Sequence, residues 1–182
     1  AVTVMMPSVF ITPGEVAVQS APKLGLFYTG RYPRGSDTAD TAFAEAMTSA
    51  DIATFVKEDV MPFKYGKLFL NLSNILIAAL GRGAPIAALR ERVRTEAAQV
   101  LTAAGIGWEN VDQDHPDRLK YMNFADVPGY EGTGSSTAQS FLRKSARVET
   151  DWLNGEIVRL GRLHDTPVPV NAYLTALAAR MS

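Results

Sequence analysis

Lys64-Tyr65-Gly66-Lys67-Leu68-Phe69-Leu70-Asn71-Leu72-Ser73-Asn74-Ile75-Leu76-Ile77-Ala78-Ala79-Leu80 is the stretch that decides how this chain reads. From Leu68 onward nearly every residue is apolar, which predicts a helix buried on most of its sides. Pro62 stands where a first helical turn tolerates proline, and Gly81 and Gly83 end the run. Lys67, Asn71 and Asn74 interrupt the apolar pattern at spacing i, i+4 and i+7. At about 100° per residue they share one narrow face. An ammonium and two amides on a buried helix need partners. One reading is a polar cleft, where a half-buried Lys lowers its pKa and gives up a proton while the amides hold a carbonyl, hydroxyl or carboxylate. The other is that Lys67 snorkels at the helix start and the asparagines bond neighbouring helices.

The chain changes character on either side of this segment. Upstream, Val2–Met6, Val9–Thr12, Glu15–Gln19, Leu24–Thr29 and Ile52–Val56 read as short strands, with Pro13-Gly14 as a tight turn and Gly30 as a stop. Between them, Ala39, Ala42, Phe43, Ala46 and Met47 give Thr38–Thr48 a helical period, with Ser36 or Asp37 as its cap. Downstream the pattern is helical. Pro85 opens a helix with Ile86, Leu89, Val93, Ala97, Val100 and Leu101 on one stripe, closed by Gly105. Further helices are expected from Pro116, from Ser135 or Ser136 to Ala146, from Glu149 to His164, and over Ala172–Arg180. Residues 1–57 therefore form a β-rich part and 58–182 an all-helical one. A small sheet of this kind leaves edges that invite a larger sheet or another copy.

Composition narrows the function classes. The 182 residues are 47% hydrophobic and 20% charged, enough for a packed core. A formal net charge of −1 speaks against a nucleic-acid footprint or a polybasic membrane anchor. With no cysteine there is no thiolate nucleophile, no disulfide and no thiolate metal site, which fits a reducing compartment. The start lacks a basic signal-peptide region, and the run to Leu80 is too short to span a bilayer. A soluble cytoplasmic protein without nucleic-acid or membrane partners is the expectation.

A second polar constellation follows the Gly-rich loop Pro128–Gly134. Ser135-Ser136-Thr137-Ala138-Gln139 opens a helix, where free N–H groups and hydroxyls suit a carboxylate. Glu149 opens the next, and an acid there also simply complements the helix dipole. Asn154-Gly155 inside a helical pattern is unusual, because glycine costs ~1 kcal/mol there; close packing of another helix or a ligand against Gly155 would account for it. Asp112–Asp117 looks like a metal loop, but it lacks the glycine and final glutamate of an EF-hand, and Asp114 reads better as a cap. Gly105-Ile106-Gly107 follows a helix and lacks a third glycine, so it is no dinucleotide fingerprint. His115 and His164 read as structural or exposed, and Trp108 and Trp152 as packing anchors.

Four segments together resemble the ketopantoate reductase (2-dehydropantoate 2-reductase) family. Lys67-Leu68-Phe69-Leu70-Asn71 resembles its Lys-x-x-x-Asn segment, and Ser135-Ser136-Thr137-Ala138-Gln139 its Ser-Ser-x-x-Gln. Glu149-Thr150-Asp151-Trp152-Leu153-Asn154-Gly155 is similar to Glu-Ile-Asp-Tyr-Leu-Asn-Gly, and His164 to Asn171 to His-Gly-x-x-x-Pro-x-Asn. The resemblance implies a mainly α chain: a helical substrate-binding and dimerisation domain, like the C-terminal domain of 6-phosphogluconate dehydrogenase, over residues 58–182. Residues 1–57 would be the β-rich C-terminal remnant of a Rossmann-type nucleotide-binding domain. It implies reduction of ketopantoate to pantoate with NADPH, in pantothenate and CoA biosynthesis. Lys67 would protonate the carbonyl oxygen and Glu149 would position substrate through its hydroxyl. Asn71 and Asn74 would bind substrate, and Ser136 would lie near its carboxylate. The partners implied are a small 2-keto acid and a second copy of the chain in a homo-oligomer.

The sequence departs from the family in four places. Ile75 stands where a second Asn is usual, with Asn74 one position earlier as its replacement. Tyr65-Gly66 replaces the usual Trp-Arg, and one extra residue separates Gln139 from Glu149. No Gly-rich phosphate loop is present, so NADPH would be held mainly by a nucleotide-binding half absent from this sequence, and the chain alone is expected to be inactive. Two other readings are a reductase for a different 2-keto acid and a helical dimerisation module without chemistry.

Overall fold

The structure is a computed structural model that describes residues 1–12, 14–81, 83–130 and 149–181. It divides into two compact units, Ala1–Lys67 with Trp108–Gly132, and Leu68–Gly107 with Thr133–Ser182.

The first unit is built on a three-stranded sheet. Strand β5 (Gly25–Thr29) lies in the centre, antiparallel to β1 (Val2–Met5) and parallel to β6 (Ile52–Val56). Helix α1 (Thr38–Ser49) makes the crossover between the parallel pair. All five residues of β5 are buried, as a central strand covered on both faces should be. Asp37 caps α1 in a capping box with Asp40. Two small antiparallel pairs complete the strands: β2 (Ser8–Thr12) with β3 (Glu15–Val18), and β4 (Ser20–Pro22) with β7 (Met122–Phe124). Gly14 at φ +86° supplies the left-handed backbone between β2 and β3; Pro13 lies outside the described residues. The core comprises Met5, Leu26, Tyr28, Ala53, Val60, Val111 and Met122, with Phe55, Phe63 and Tyr121 against it.

This unit is bounded differently from the division at residue 57 expected from the sequence. Helix α2 (Met61–Asn71) begins in it. Helix α5 (Pro116–Tyr121) and β7 return to it and pair with β4. Glu109 N–H donates to Pro62 O at 2.9 Å, and a side chain at position 66 would overlap the carbonyl of Glu109. Gly66, where the family pattern has a large residue, is thus what lets this return segment lie against α2.

The second unit holds α3 (Asn74–Leu80), α4 (Ala87–Ala103), a 3₁₀ turn at Glu149–Asp151, α6 (Asn154–Leu163) and α7 (Pro169–Met181). On α4 the residues Val93, Ala97, Val100 and Leu101 are fully buried at i, i+4, i+7 and i+8, as expected from the sequence, whereas Leu89 of the same expected stripe is 37% exposed. Ile157 and Leu160 of α6 and Leu174 and Ala178 of α7 add their buried faces. A Cβ at Gly161 would stand 2.7 Å from Thr166 O, so glycine admits the turn that folds α7 back onto α6.

Several expectations are corrected. The helix expected to run through to Leu80 breaks at Leu72-Ser73 into α2 and α3. The helix expected from Glu149 starts at Asn154, after the 3₁₀ turn. Gly155 therefore lies in a first turn, and among the described residues a Cβ there would meet nothing closer than 3.7 Å, so no described helix packs tightly against it. The cap of α5 is His115, whose Nδ1 accepts from Asp117 N–H at 3.1 Å, while Asp114 accepts from Asn110 Nδ2. Trp152 is 72% exposed, not a packing anchor.

Candidate functional site

The helix break reshapes the polar stripe. Lys67 and Asn71 stand one turn apart on α2 and are half-buried. Asn74, also half-buried, is the first residue of α3. Asn71 and Asn74 thus flank Leu72-Ser73 instead of extending one continuous face. Ser73 precedes α3 at φ −87°, ψ −1°, and its side chain makes no capping bond. A helix end of this kind leaves carbonyls without intrahelical partners.

The freed carbonyl is met by a side chain from elsewhere in the second unit. Asn154 Nδ2 donates to Leu72 O at 3.1 Å and to Asn171 Oδ1 at 3.0 Å. Asn171 Nδ2 donates in turn to Glu96 Oε2 at 2.8 Å and to Val93 O at 3.2 Å. The Glu96 carboxylate also accepts the backbone N–H groups of Val170 and Asn171, both at 2.9 Å. A carboxylate on two N–H groups at the start of α7 is a favourable helix-terminus arrangement. Asn154 and Asn171 are at most 1% exposed and Glu96 is 9% exposed. These three residues form a buried polar relay from α4, through the starts of α7 and α6, to the α2–α3 break.

Glu149 is exposed at the start of the 3₁₀ turn, and its carbonyl accepts from Trp152 and Leu153 N–H. Thr150 beside it is buried. Ser136, the remaining residue expected at the site, lies outside the described residues. Lys67 closes the first segment of the first unit, whereas Asn71, Asn74 and Glu149 belong to the second.

The sequence reading gave Asn154, Asn171 and Glu96 no role. Both asparagines stand in segments that carried the family resemblance, and this was the available signal. Nothing in the spacing tells that side chains 17 residues apart meet over a carbonyl at position 72.

A nicotinamide dinucleotide calls for free backbone N–H groups at a helix N-terminus to hold its pyrophosphate. Among the described residues the strand-to-helix connections do not fit it. At the start of α1, Asp37 accepts from Ala39 and Asp40 N–H, and Asp40 accepts from Asp37 N–H. At the start of α2, Asp59 accepts from Met61 N–H. Carboxylates already hold these amides, and their charge repels phosphate. No described residue is therefore assigned to the cofactor.

Residues 67–182 match the family model described as ketopantoate reductase PanE/ApbA C terminal. The chain belongs to the ketopantoate reductase family through its helical C-terminal domain, and is mainly helical with a β-rich leading part. No curated protein matches. Among solved structures, a 2-dehydropantoate 2-reductase from Methylococcus capsulatus aligns with TM-score 0.71 and 21% identity, over 100% of this chain and 58% of that one. A dimeric ketopantoate reductase from Staphylococcus aureus aligns with TM-score 0.69 and 17% identity, over 99% and 60%. A D-mandelate dehydrogenase in complex with NADH aligns with TM-score 0.67 and 20% identity, over 99% and 61%. The chain spans about three fifths of the length of these proteins. Among its described residues no helix is long and apolar enough to cross a membrane.

Proposed function

We propose that this chain is the substrate-side part of an NADPH-dependent 2-dehydropantoate 2-reductase, reducing ketopantoate to pantoate for pantothenate synthesis. The observation that carries the reading is the family match from Lys67 to the C-terminus, which contains the four expected polar segments. Residues 1–57 read as the closing strands of a Rossmann-type domain and 58–182 as the substrate and dimerisation domain. Lys67 gives its Nζ proton to the carbonyl oxygen as the carbon is reduced. Asn71 and Asn74 bond substrate oxygens, Ser136 lies near the carboxylate, and Glu149 accepts from the substrate hydroxyl. A homodimer is favoured by the dimeric relative. The absence of cysteine suits the reducing cytoplasm.

A second reading is a reductase for another 2-keto acid. Ile75 favours it: at 1% exposure, this residue puts a buried alkyl chain where the family pattern has a substrate-binding amide. The D-mandelate dehydrogenase relative shows the same fold in a dehydrogenase of another name.

The test is NADPH oxidation by the intact protein with ketopantoate, wild type beside Lys67→Ala. The expected outcome is turnover that drops about 10²–10⁴-fold in the variant, the usual worth of a general acid. Turnover with other 2-keto acids but not ketopantoate selects the second reading. A protein that binds no nicotinamide cofactor overturns both and leaves a non-enzymatic helical module.

A further inference from the structure

Building on the substrate-site reading above, we infer that Asn154 is a positioning residue: it holds the α2–α3 break, with Asn71 and Asn74, in register with the turn that carries Glu149. Three observations converge on it. Its Nδ2 donates to Leu72 O, the carbonyl between the two asparagines proposed to bind substrate. It is the first residue of α6, with two residues between it and the end of the 3₁₀ turn Glu149–Asp151. Its second acceptor is Asn171 Oδ1, and Asn171 is fixed by Glu96 and Val93 O.

The arrangement is specific in direction. Asn171 Nδ2 donates to Glu96 and to Val93 O, so its Oδ1 faces Asn154 as an acceptor. Leu72 offers a carbonyl, also an acceptor. Between two acceptors only a donor of this reach satisfies both, and the Asn154 amide is that donor. An aspartate of the same shape supplies none when ionised. Every member of the relay is buried, so water does not readily replace a lost bond. The consequence falls on the backbone at residue 72, from which Asn71 and Asn74 are one and two residues removed. Small displacements of groups that orient a substrate lower turnover steeply.

The experiment compares wild type, Asn154→Asp and Asn154→Ser in the intact protein. Asn154→Ser adds no charge and guards against misfolding of the aspartate variant. Two readouts are taken: steady-state KM and kcat for the 2-keto acid and for NADPH, and amide hydrogen exchange. The expected result is a kcat/KM about 10²-fold lower for the keto acid, mostly through KM, with KM for NADPH unchanged. Amides at 72–77 should exchange about tenfold faster, while those of Ile157 and Leu160 keep their protection. Wild-type KM together with wild-type exchange at 72–77 in a folded variant overturns the inference. So does loss of protection spread evenly over α4, α6 and α7, which marks a purely structural asparagine. If wild type reduces no 2-keto acid, the reductase reading falls, and exchange at 72–77 alone decides whether Asn154 holds the break.

Discussion

The two units bury polar groups for different ends. In the first, Tyr28 is fully buried at the centre of the sheet and donates to Asp117 Oδ2 at 2.9 Å, and Asp117 in turn gives its N–H to His115. Rings surround it: Phe63 lies 4.2 Å from Tyr28 between centroids and Phe55 6.1 Å, and Lys57 Nζ stands 4.8 Å over Phe63. This network closes on itself and ties α5 to β5. In the second unit the buried network is open-ended. It runs from a carboxylate on α4 to a broken helix beside the residues proposed to bind substrate. A closed network stabilises its unit and tolerates conservative change. An open one transmits a change to whatever sits at its end. The difference separates which substitutions should cost stability from which should cost function.

The largest stability effect should come from the first unit, at Gly66. A Cβ there collides with backbone, the carbonyl of Glu109, and not with a side chain that could swing away. The Glu109 to Pro62 bond holds that carbonyl in place. Gly66→Ala should destabilise by about 3 kcal/mol, at the upper end for overpacking, against the gain alanine normally brings to a helix. Chemical denaturation of the two proteins measures it. An alanine variant as stable as wild type would mean that the return segment after Trp108 does not lie against α2.

Tyr28 gives a smaller, pH-dependent effect in the same unit. Burial first, and then its bond to Asp117 and that group's charge, push the phenol well above its ordinary 10.0. The unfolded chain then loses this proton at a pH where the folded chain keeps it. Below about pH 10 the stabilisation is fully present; above it, stability falls as pH rises. Tyr28→Phe should cost about 1 kcal/mol at neutral pH for the lost hydrogen bond. It should also flatten the decline above pH 10 in thermal melts. A decline as steep in the phenylalanine variant would assign it to other groups.

The elements were largely legible in the sequence because period and punctuation are local. The strands of the first sheet, the Asp37 cap and the buried stripe of α4 all follow from neighbours within one or two turns. What was not legible depended on distant partners. The break at Leu72-Ser73 carries neither proline nor glycine, and its carbonyl is satisfied from position 154. Strands β4 and β7 are each three residues long and exist through pairing across about a hundred positions. For the proposed site, Lys67, Asn71, Asn74 and Glu149 are candidates named from residue type and resemblance, whereas Asn154, Asn171 and Glu96 became meaningful only once their side chains met.

The smallest effect tests the comparison from its other side, at Gly155. Inside a helix, glycine is weaker than alanine because its backbone gives up more freedom on folding. The Asn-Gly pair would be explained if a side chain at 155 struck something, but the nearest atoms to a Cβ there among the described residues are Thr150 O at 3.7 Å and Thr175 Cγ2 at 3.8 Å. Both are ordinary contacts. Gly155→Ala should therefore fold normally and gain up to about 1 kcal/mol, measured by denaturation, with activity of the intact protein within about twofold of wild type. The neighbouring position should behave oppositely, since Asn154→Asp removes a buried donor that serves two acceptors. Two adjacent residues, one tolerant and one not, would place the constraint on the amide of Asn154 and not on the backbone that carries it. If Gly155→Ala lowered activity while leaving stability intact, the start of α6 would need a freedom that the Asn154 bonds alone do not account for.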